Sequence, residues 1–286
     1  MTERRKILLT GACGTIAGQL LPAFRERYDL VPCDVRDTTR SGEKIPNIQI
    51  ADLRNTDRDA YRHLFGDIDA VVHCGFARPE GKEDPTAQFD AELANVQMAY
   101  NVYQTAWEEN VPRVIMASSN HAADYYEPLI LEHKFDFVSP DMRPLSDNYY
   151  GWAKETYEHL GFVFAVGKPN GRPLENVQIR IGGPRETDVS RCARGDLTCM
   201  RRALGAYISE RDMAQLFIKS IEASDIRDER GVPFQIFYGI SDNPHAFWSI
   251  ANARRIIGYA PQDNSEIRFR DLIAEHISAA TEAGEA

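Results

Sequence analysis

No stretch of the 286-residue chain approaches the roughly 18 consecutive apolar residues that a membrane-spanning helix needs. Nor does the N-terminus, MTERRKILLT, show the parts of a secretory leader; it runs directly into a strand pattern. Basic excess is absent too. Lys and Arg number 33 against 43 Asp and Glu, a formal net charge of −10, which argues against nucleic-acid and anionic-membrane surfaces while leaving room for a local basic pocket. Cysteine is scarce: Cys13, Cys33, Cys74, Cys192 and Cys199 are odd in number and without paired spacing, a usage that predicts reduced thiols in a cytoplasmic setting rather than a disulfide framework. Metal-ligand spacing, internal repeats and low-complexity tracts are also missing, apart from a small polar tail, TEAGEA.

What the chain does have is 43% hydrophobic and 27% charged residues, the balance of an ordinary globular core forming one large domain or one with a small appended lobe. Short apolar runs alternate with longer amphipathic stretches, which predicts β-α units and a doubly wound parallel sheet of the Rossmann type. Strands are expected near Lys6–Thr10, Leu30–Asp34, Ile48–Ala51, Ala70–His73, Arg113–Ala117 and Val177–Ile181. Helices are expected near Thr15–Arg27, Asp57–Phe65, Thr86–Glu109 and Tyr149–Val166; the third carries Phe89, Leu93, Val96, Tyr100, Val102 and Tyr103 as its buried face. Tyr125–Asp147 reads as irregular chain between a strand end and a helix start, where ligands of open α/β sheets bind. Gly182–Ala206, rich in Arg and Gly, reads as a loop, followed by a helix near Glu210–Ala223, a strand near Phe234–Tyr238 and helices near Ala246–Ile257 and Arg270–Ala280. The expected division is therefore 1–181, a nucleotide-binding domain carrying the reactive residues, and 182–286, a small substrate-binding lobe on the sheet's open edge that does not fold independently.

The first strand empties into Thr10-Gly11-Ala12-Cys13-Gly14-Thr15-Ile16-Ala17-Gly18. Glycines at this point let the chain turn tightly and bring backbone N–H groups, with the helix dipole behind them, up to a pyrophosphate. Ala17 stands where a third glycine often does, and a bare strand-to-helix turn is the alternative reading. Asp34, twenty positions after Gly14 at the end of the second strand, favours a dinucleotide: a carboxylate there accepts from ribose hydroxyls and repels a 2′-phosphate, selecting NAD over NADP. Arg36, two residues on, leaves NADP open. Asp52 and Leu53, and Cys74-Gly75-Phe76, fall at strand ends where adenine and ribose would lie; Asp52 also reads as a turn cap, and Asn95 as either a cofactor contact or a helix-surface amide.

Tyr150-Gly-Trp-Ala-Lys154 sets a phenol and an ammonium four residues apart, on one face of a helix. A phenol with an ordinary pKa near ~10 is a poor base at neutral pH; a neighbouring cation stabilises its phenolate and lowers that value. Lys154 can also hydrogen-bond a nicotinamide ribose. Tyr149, whose fourth neighbour is Ala153, is the weaker candidate. The fifth strand ends in Ser118-Ser119-Asn120-His121, where a hydroxyl can hold the reacting oxygen for proton transfer. His121 reads as a substrate-hydroxyl contact, a general base or a structural histidine.

The glycine turn, Asp34, Ser119 and Tyr150/Lys154, in this order, resemble the extended short-chain dehydrogenase/reductase (NAD-dependent epimerase/dehydratase) family over roughly the first 180 residues. SSNH at 118–121, IRIGG at 179–183, YIS at 207–209, YGISDN at 238–243 and GYAPQDNSE at 258–266 are similar to the uronate dehydrogenases and their archaeal relatives that oxidise glucose 6-phosphate. This resemblance implies oxidation of a cyclic aldose or hexuronate at C1 to a lactone, with NAD as cofactor. It implies that Ser119, Asn120 and His121 contact sugar hydroxyls and that Arg202 meets an anionic group of the substrate. Arg78 stands near a serine of the uronate enzymes and suits a phosphate or other strong anion; Gly183 also stands where a serine is expected. The expected partners are a small sugar and a second copy of the chain in a homo-oligomer. A sugar-phosphate 1-dehydrogenase, a nucleotide-sugar epimerase or dehydratase that retains its NAD, and a non-catalytic NAD-binding protein are the competing readings. The last predicts a degraded catalytic set, whereas Ser119, Tyr150 and Lys154 are all present.

Overall fold

A computed structural model describes residues 4–81 and 84–283. Its elements run β1 (Lys6–Thr10), α1 (Thr15–Arg27), β2 (Asp29–Asp34), β3 (Gln49–Ile50), β4 (Ala70–His73), α2 (Pro85–Glu108), β5 (Arg113–Ser119), α3 (Tyr126–Leu131), α4 (Tyr149–Val166) and β6 (Glu175–Ile181). Then follow α5 (Thr187–Ser190), α6 (Leu197–Ala206), α7 (Glu210–Glu222), β7 (Phe234–Gly239), α8 (Ala251–Ile257), α9 (Ser265–Arg268) and α10 (Arg270–Ala283). The strands form one parallel sheet in the order β3-β2-β1-β4-β5-β6-β7. The chain moves outward from β1 through β2 to β3, then returns to pair β4 with the other side of β1. That reversal opens a crevice above the carboxyl ends of β1 and β4.

Because successive strand residues face opposite sides, each strand feeds two cores. Ile7, Leu9, Val72, Ile115 and Ile179 join the layer with α1, α7 and α8; Leu8, Val71, Val114 and Met116 join the layer with α2 and α4. On β6 the second face is polar: Asn176, Gln178 and Arg180 are fully buried there. Gln178 Nε2 donates to the Tyr103 hydroxyl at 2.7 Å, and Asn176 Nδ2 to the Gly161 carbonyl at 2.8 Å. Gly161 is what permits this approach, since a Cβ there would stand 2.6 Å from Gln178 Nε2. Local chemistry delimits α4: the Asn148 side chain accepts from Gly151 N at the start, and Gly167, at φ +70°, ends it in the left-handed region.

Several sequence expectations need correction. Asp57–Phe65 is not one helix but two short 3₁₀ turns, Arg58–Ala60 and Arg62–Phe65. On α2, Phe89, Leu93 and Tyr100 point outward. The helix turns Asn95 and Asn101 inward beside Met98, Ala99 and Val102, because the neighbouring loops need their hydrogen bonds: Asn101 Nδ2 donates to the Leu53 carbonyl at 2.8 Å. The loop expected over Gly182–Ala206 contains α5 and α6, the irregular stretch Tyr125–Asp147 contains α3, and α8 starts at Ala251 rather than Ala246. Cys192 and Cys199 form a disulfide, with Cα atoms 5.7 Å apart, so the expectation of reduced thiols fails for those two; Cys13, Cys33 and Cys74 are free. The segment 182–286 supplies β7 to the common sheet as well as the helices beyond it. Thr281–Ala283 of the polar tail continue α10, and 284–286 lie outside the described residues. Among the described residues no helix is long and apolar enough to cross a membrane, and no His/Cys/Asp/Glu cluster could hold a metal ion.

Candidate active site

The carboxyl ends of β1, β2, β4, β5 and β6 open into one cavity of about 900 Å³. Four strand spacings of about 4.8 Å separate β2 from β6, so the cavity runs roughly 19 Å along the sheet edge, a shape that suits an elongated ligand. Gly11, Gly14, Thr15, Ile16, Asp34, Asp52, Leu53, Cys74, Gly75 and Phe76 line one part of it. Ser119, His121, Tyr150, Lys154 and Arg78 line the rest.

The turn after β1 is shaped by its backbone. Gly11 sits at φ +68°, and a Cβ on it would meet the Cys74 carbonyl and Gly75 N at 2.6 Å. Only glycine lets β1 and β4 leave the sheet this close together. The next backbone groups are aimed by Asp34, whose Oδ2 accepts from Cys13 N at 2.9 Å and whose Oδ1 accepts from Val35 N at 2.7 Å. Cys13 itself is buried behind this turn rather than on the cavity wall, its thiol pushed up by burial and then by Asp34. Arg36 turns back, donating to the Cys13 carbonyl at 3.3 Å. Asp52 is held by Arg54, chiefly through hydrogen bonds that keep its carboxyl below the usual range. Asn95 is buried off the cavity and clamps the loop after β4, exchanging two 2.8 Å hydrogen bonds with the Ala77 backbone.

At the other part of the cavity the Tyr150 ring meets Phe76 and His121 edge-on, with centroids 5.4 and 5.5 Å away. Burial pushes the Tyr150 phenol above its ordinary value, the Glu92 and Asp124 carboxylates push it further, and a hydrogen bond with Ser119 draws it back. The net direction is therefore upward, whereas the sequence led to a net lowering by Lys154. The Lys154 Nζ donates to the Ala117 carbonyl at 3.0 Å and lies 5.5 Å from the Tyr150 ring centroid, while its own burial brings it down to about 8. Ser119 Oγ caps the turn that follows β5, accepting from His121 N at 3.3 Å. His121 Nδ1 is hydrogen-bonded to Asp124, which Asn148 Nδ2 also contacts at 3.2 Å. Asn120 is buried just off the cavity wall.

Two further expected substrate residues stand apart from the cavity. Gly183 does not line the cavity, although Gly182 and Pro184 do; its N–H and carbonyl are taken by the Ala206 carbonyl and Ile208 N. Arg202 lies off the wall as well and is engaged by Glu127. Arg78 does face the cavity. Burial lowers its guanidinium pKa, and the positive charges of Arg40 and Arg185 lower it further, so three arginines gather at this mouth. Sequence reasoning missed Glu92, Glu127 and, above all, Glu158 with Arg180. Arg180 donates to both Glu158 oxygens at 2.8 and 2.7 Å, Ser118 Oγ adds a third bond at 2.8 Å, and neither charged side chain is more than 3% exposed. An arginine alternating with Asn176 and Gln178 on one face of β6, and a glutamate four residues after Lys154, were the available signals.

The profile of the NAD dependent epimerase/dehydratase family matches residues 7–162. The chain belongs to that family. It is 30% identical to an NAD-dependent glucose-6-phosphate dehydrogenase of Haloferax volcanii, across 91% of this chain and 94% of the relative. It is also 30% identical to an L-arabinose 1-dehydrogenase (NAD(P)(+)) of the same organism, across 91% and 97%. Among solved structures, a uronate dehydrogenase from Agrobacterium tumefaciens superposes with a TM-score of 0.72 at 25% identity, across 95% of this chain and 89% of that one. The family member described here thus has sugar dehydrogenases for relatives.

Proposed function

We propose that the protein oxidises a cyclic aldose at C1 to its lactone with NAD, Tyr150 accepting the proton of the anomeric hydroxyl. The observation that carries this reading is the meeting of Tyr150, Ser119, His121 and Lys154 on the same cavity as the Gly11 turn and Asp34. The residues fit the cofactor. A Cβ would close the Gly11 turn, and the Asp34 carboxylate at the end of β2 matches ribose hydroxyls while repelling a 2′-phosphate, which favours NAD over NADP. The Gly11–Ile16 turn, Asp34, Leu53 and Cys74–Phe76 would hold NAD, and when bound it supplies the hydride acceptor.

The chain's own residues do the rest. Tyr150 takes the anomeric proton; Ser119, on the same cavity wall, orients the reacting oxygen; the Lys154 ammonium offsets the charge of the phenolate. His121, braced by Asp124, meets a neighbouring sugar hydroxyl. The relatives named for glucose 6-phosphate, L-arabinose and uronate support this class of reaction.

A panel of neutral aldoses, hexuronates and glucose 6-phosphate with NAD, followed at the NADH absorbance, tests the reaction. Stoichiometric NADH release with a simple sugar is expected, whereas an epimerase would recycle its hydride. In the Tyr150→Phe variant kcat falls by about 10²–10⁴-fold with NAD affinity unchanged. Wild-type turnover by that variant removes Tyr150 from the role.

A further inference from the structure

The chain carries a net charge of −10, yet the wall of its cavity is positive. Each carboxylate on that wall has a cation close by. Asp52 is paired with Arg54 at 2.7 Å, Asp34 and Arg36 are both hydrogen-bonded to the Cys13 backbone, and Glu92 lies within electrostatic reach of Lys154. Among the described residues that leaves Arg40, Arg78 and Arg185 without a matching carboxylate on the wall. Only Arg185 has one behind it: Asp188, at 3.1 Å, which also holds Arg191 at 3.4 Å. The three arginines come from the loops after β2, β4 and β6. In the sheet β4 stands midway between the other two strands, about 10 Å from each, and Arg78 feels the charge of both its neighbours.

Their place along the cavity separates them from the cofactor's pyrophosphate, for which the backbone N–H groups of the Gly11 turn are available. Arg78 follows Phe76 by two residues, and the Phe76 ring meets Tyr150 edge-on at 5.4 Å. Arg185 acts electrostatically on the same phenol. An anion held by these two therefore sits on the Tyr150 side. All three arginines are exposed, so water solvates them while the mouth is open. A neutral ligand covering them strips that water and returns no counter-charge, whereas an anion returns it. The size of the excess points to a phosphate. Bound NAD, with two pyrophosphate charges and one opposite charge on its oxidised ring, cancels about one of the three positive charges and leaves about two. A phosphate monoester brings a charge of about −1.5 to −2 and three acceptor oxygens, against one charge and two oxygens for a carboxylate. The planar fork of Arg78 can take two of those oxygens, and Arg185 the third.

We propose that Arg78 and Arg185, with Arg40 beside them, bind a phosphate at the end of the sugar remote from C1, so that the substrate is a phosphorylated aldose rather than a neutral aldose or a hexuronate. For the seating of C1 at Tyr150 this rests on the dehydrogenase reading above. Glucose, glucuronate and glucose 6-phosphate differ at C6 alone and, with their three galactose counterparts, make two matched sets of probes. Their affinities are measured by calorimetry on the NADH-loaded protein, in which the sugar cannot be oxidised, and NADH release from NAD is recorded separately. In at least one set the sugar phosphate is expected to bind about tenfold or more tighter than the neutral sugar, and tighter than the hexuronate. Arg78→Gln lowers the phosphate-to-neutral affinity ratio about fivefold or more, and Arg185→Gln lowers it less, because Asp188 already shares that charge. A wild type that falls short of this order in both sets, or binds none of the sugars, overturns the inference. So does an Arg78→Gln ratio that falls by less, or an Arg78→Gln variant that loses NADH affinity instead, which gives the arginine to the cofactor. The wild-type order needs no variant, so the inference stays exposed even where Arg78→Gln fails to fold. NADH release with a preference for the neutral sugars breaks the phosphate site and spares the dehydrogenase reading. The expected affinity order without NADH from any sugar does the reverse.

Discussion

The turn at Gly11–Ile16 and the wall that carries Ser119, Tyr150 and Lys154 border one crevice, yet they are built of different material. The turn is made by backbone: a positive φ at Gly11, a carboxylate holding Cys13 N, and a helix start that exposes N–H groups. The wall is backed by charged pairs, two of which join separate parts of the chain, Glu158 with Arg180 and Glu127 with Arg202, while His121 and Asp124 are three residues apart. A backbone device is bounded by sterics and tolerates variation around it. A buried charge pair depends on both partners, since removing one leaves the other unsolvated.

The largest test of that contrast lies under the wall. Arg180 and Glu158 fasten α4 to β6 directly beneath Ser118, four residues along the helix from Lys154. Arg180→Leu strands the Glu158 carboxylate and is expected to lower the unfolding free energy by about 3–5 kcal/mol, read from urea denaturation. Replacing both residues, Arg180→Leu with Glu158→Leu, restores much of the loss because no charge is left behind. A single variant within ~1 kcal/mol of the wild type shows that the pair is solvated and that the wall is not held this way.

The same contrast explains what could be read in advance. The ends of β1, β4 and α4 fall where the sequence predicts them because local signals set them: apolar runs in the strands, Asn148 and Gly167 at the helix limits. The glycine turn and Asp34 are legible for the same reason, being neighbours in a single β-α-β unit. Glu127 and Arg202 are 75 residues apart, and neither carries a local signal of the other. Helix α6, which bears Arg202, is ten residues long and sits in a segment whose Arg and Gly content reads as loop; an Asp196 cap and the Cys192–Cys199 disulfide anchor its start. On α2 the apolar count found Val102 and Tyr103 but also took in the exposed Phe89, Leu93 and Tyr100, because part of the inward side is chosen by the carbonyls and amides it must satisfy.

A smaller effect separates steric from chemical demand within the turn itself. Gly11→Ala places a Cβ 2.6 Å from the Cys74 backbone in a conformation unfavourable to any L residue. NAD affinity is expected to drop about 10–100-fold, or ~1.4–2.7 kcal/mol, by fluorescence titration. Gly18→Ala, three positions after Thr15 with nothing within 4 Å of the added Cβ, leaves NAD affinity intact and stabilises α1 by about 0.5–1 kcal/mol. Equal losses in the two variants would mean that the turn's glycines act through flexibility rather than through close approach.

The smallest effect concerns the proton balance of Lys154, the one lysine among the described residues that lines the cavity. Burial takes its pKa down to about 8, against ~10.4 for an exposed lysine, so between those values the unfolded chain binds more protons than the native one. With that sign, stability attributable to Lys154 rises as pH increases through this window and is lost as pH falls toward 8. The buried thiols Cys33 and Cys74, both pushed up to about 12, work in the opposite direction above their ordinary range near ~8.5. The informative quantity is therefore the difference between wild type and Lys154→Met. From pH ~8 to ~9.5, below the tyrosine range, the wild type should gain about 1 kcal/mol per pH unit on the variant in urea denaturation. A flat difference across the window would mean that Lys154 keeps an ordinary ammonium pKa, and that the wall holds this charge as well solvated as the turn holds its backbone amides.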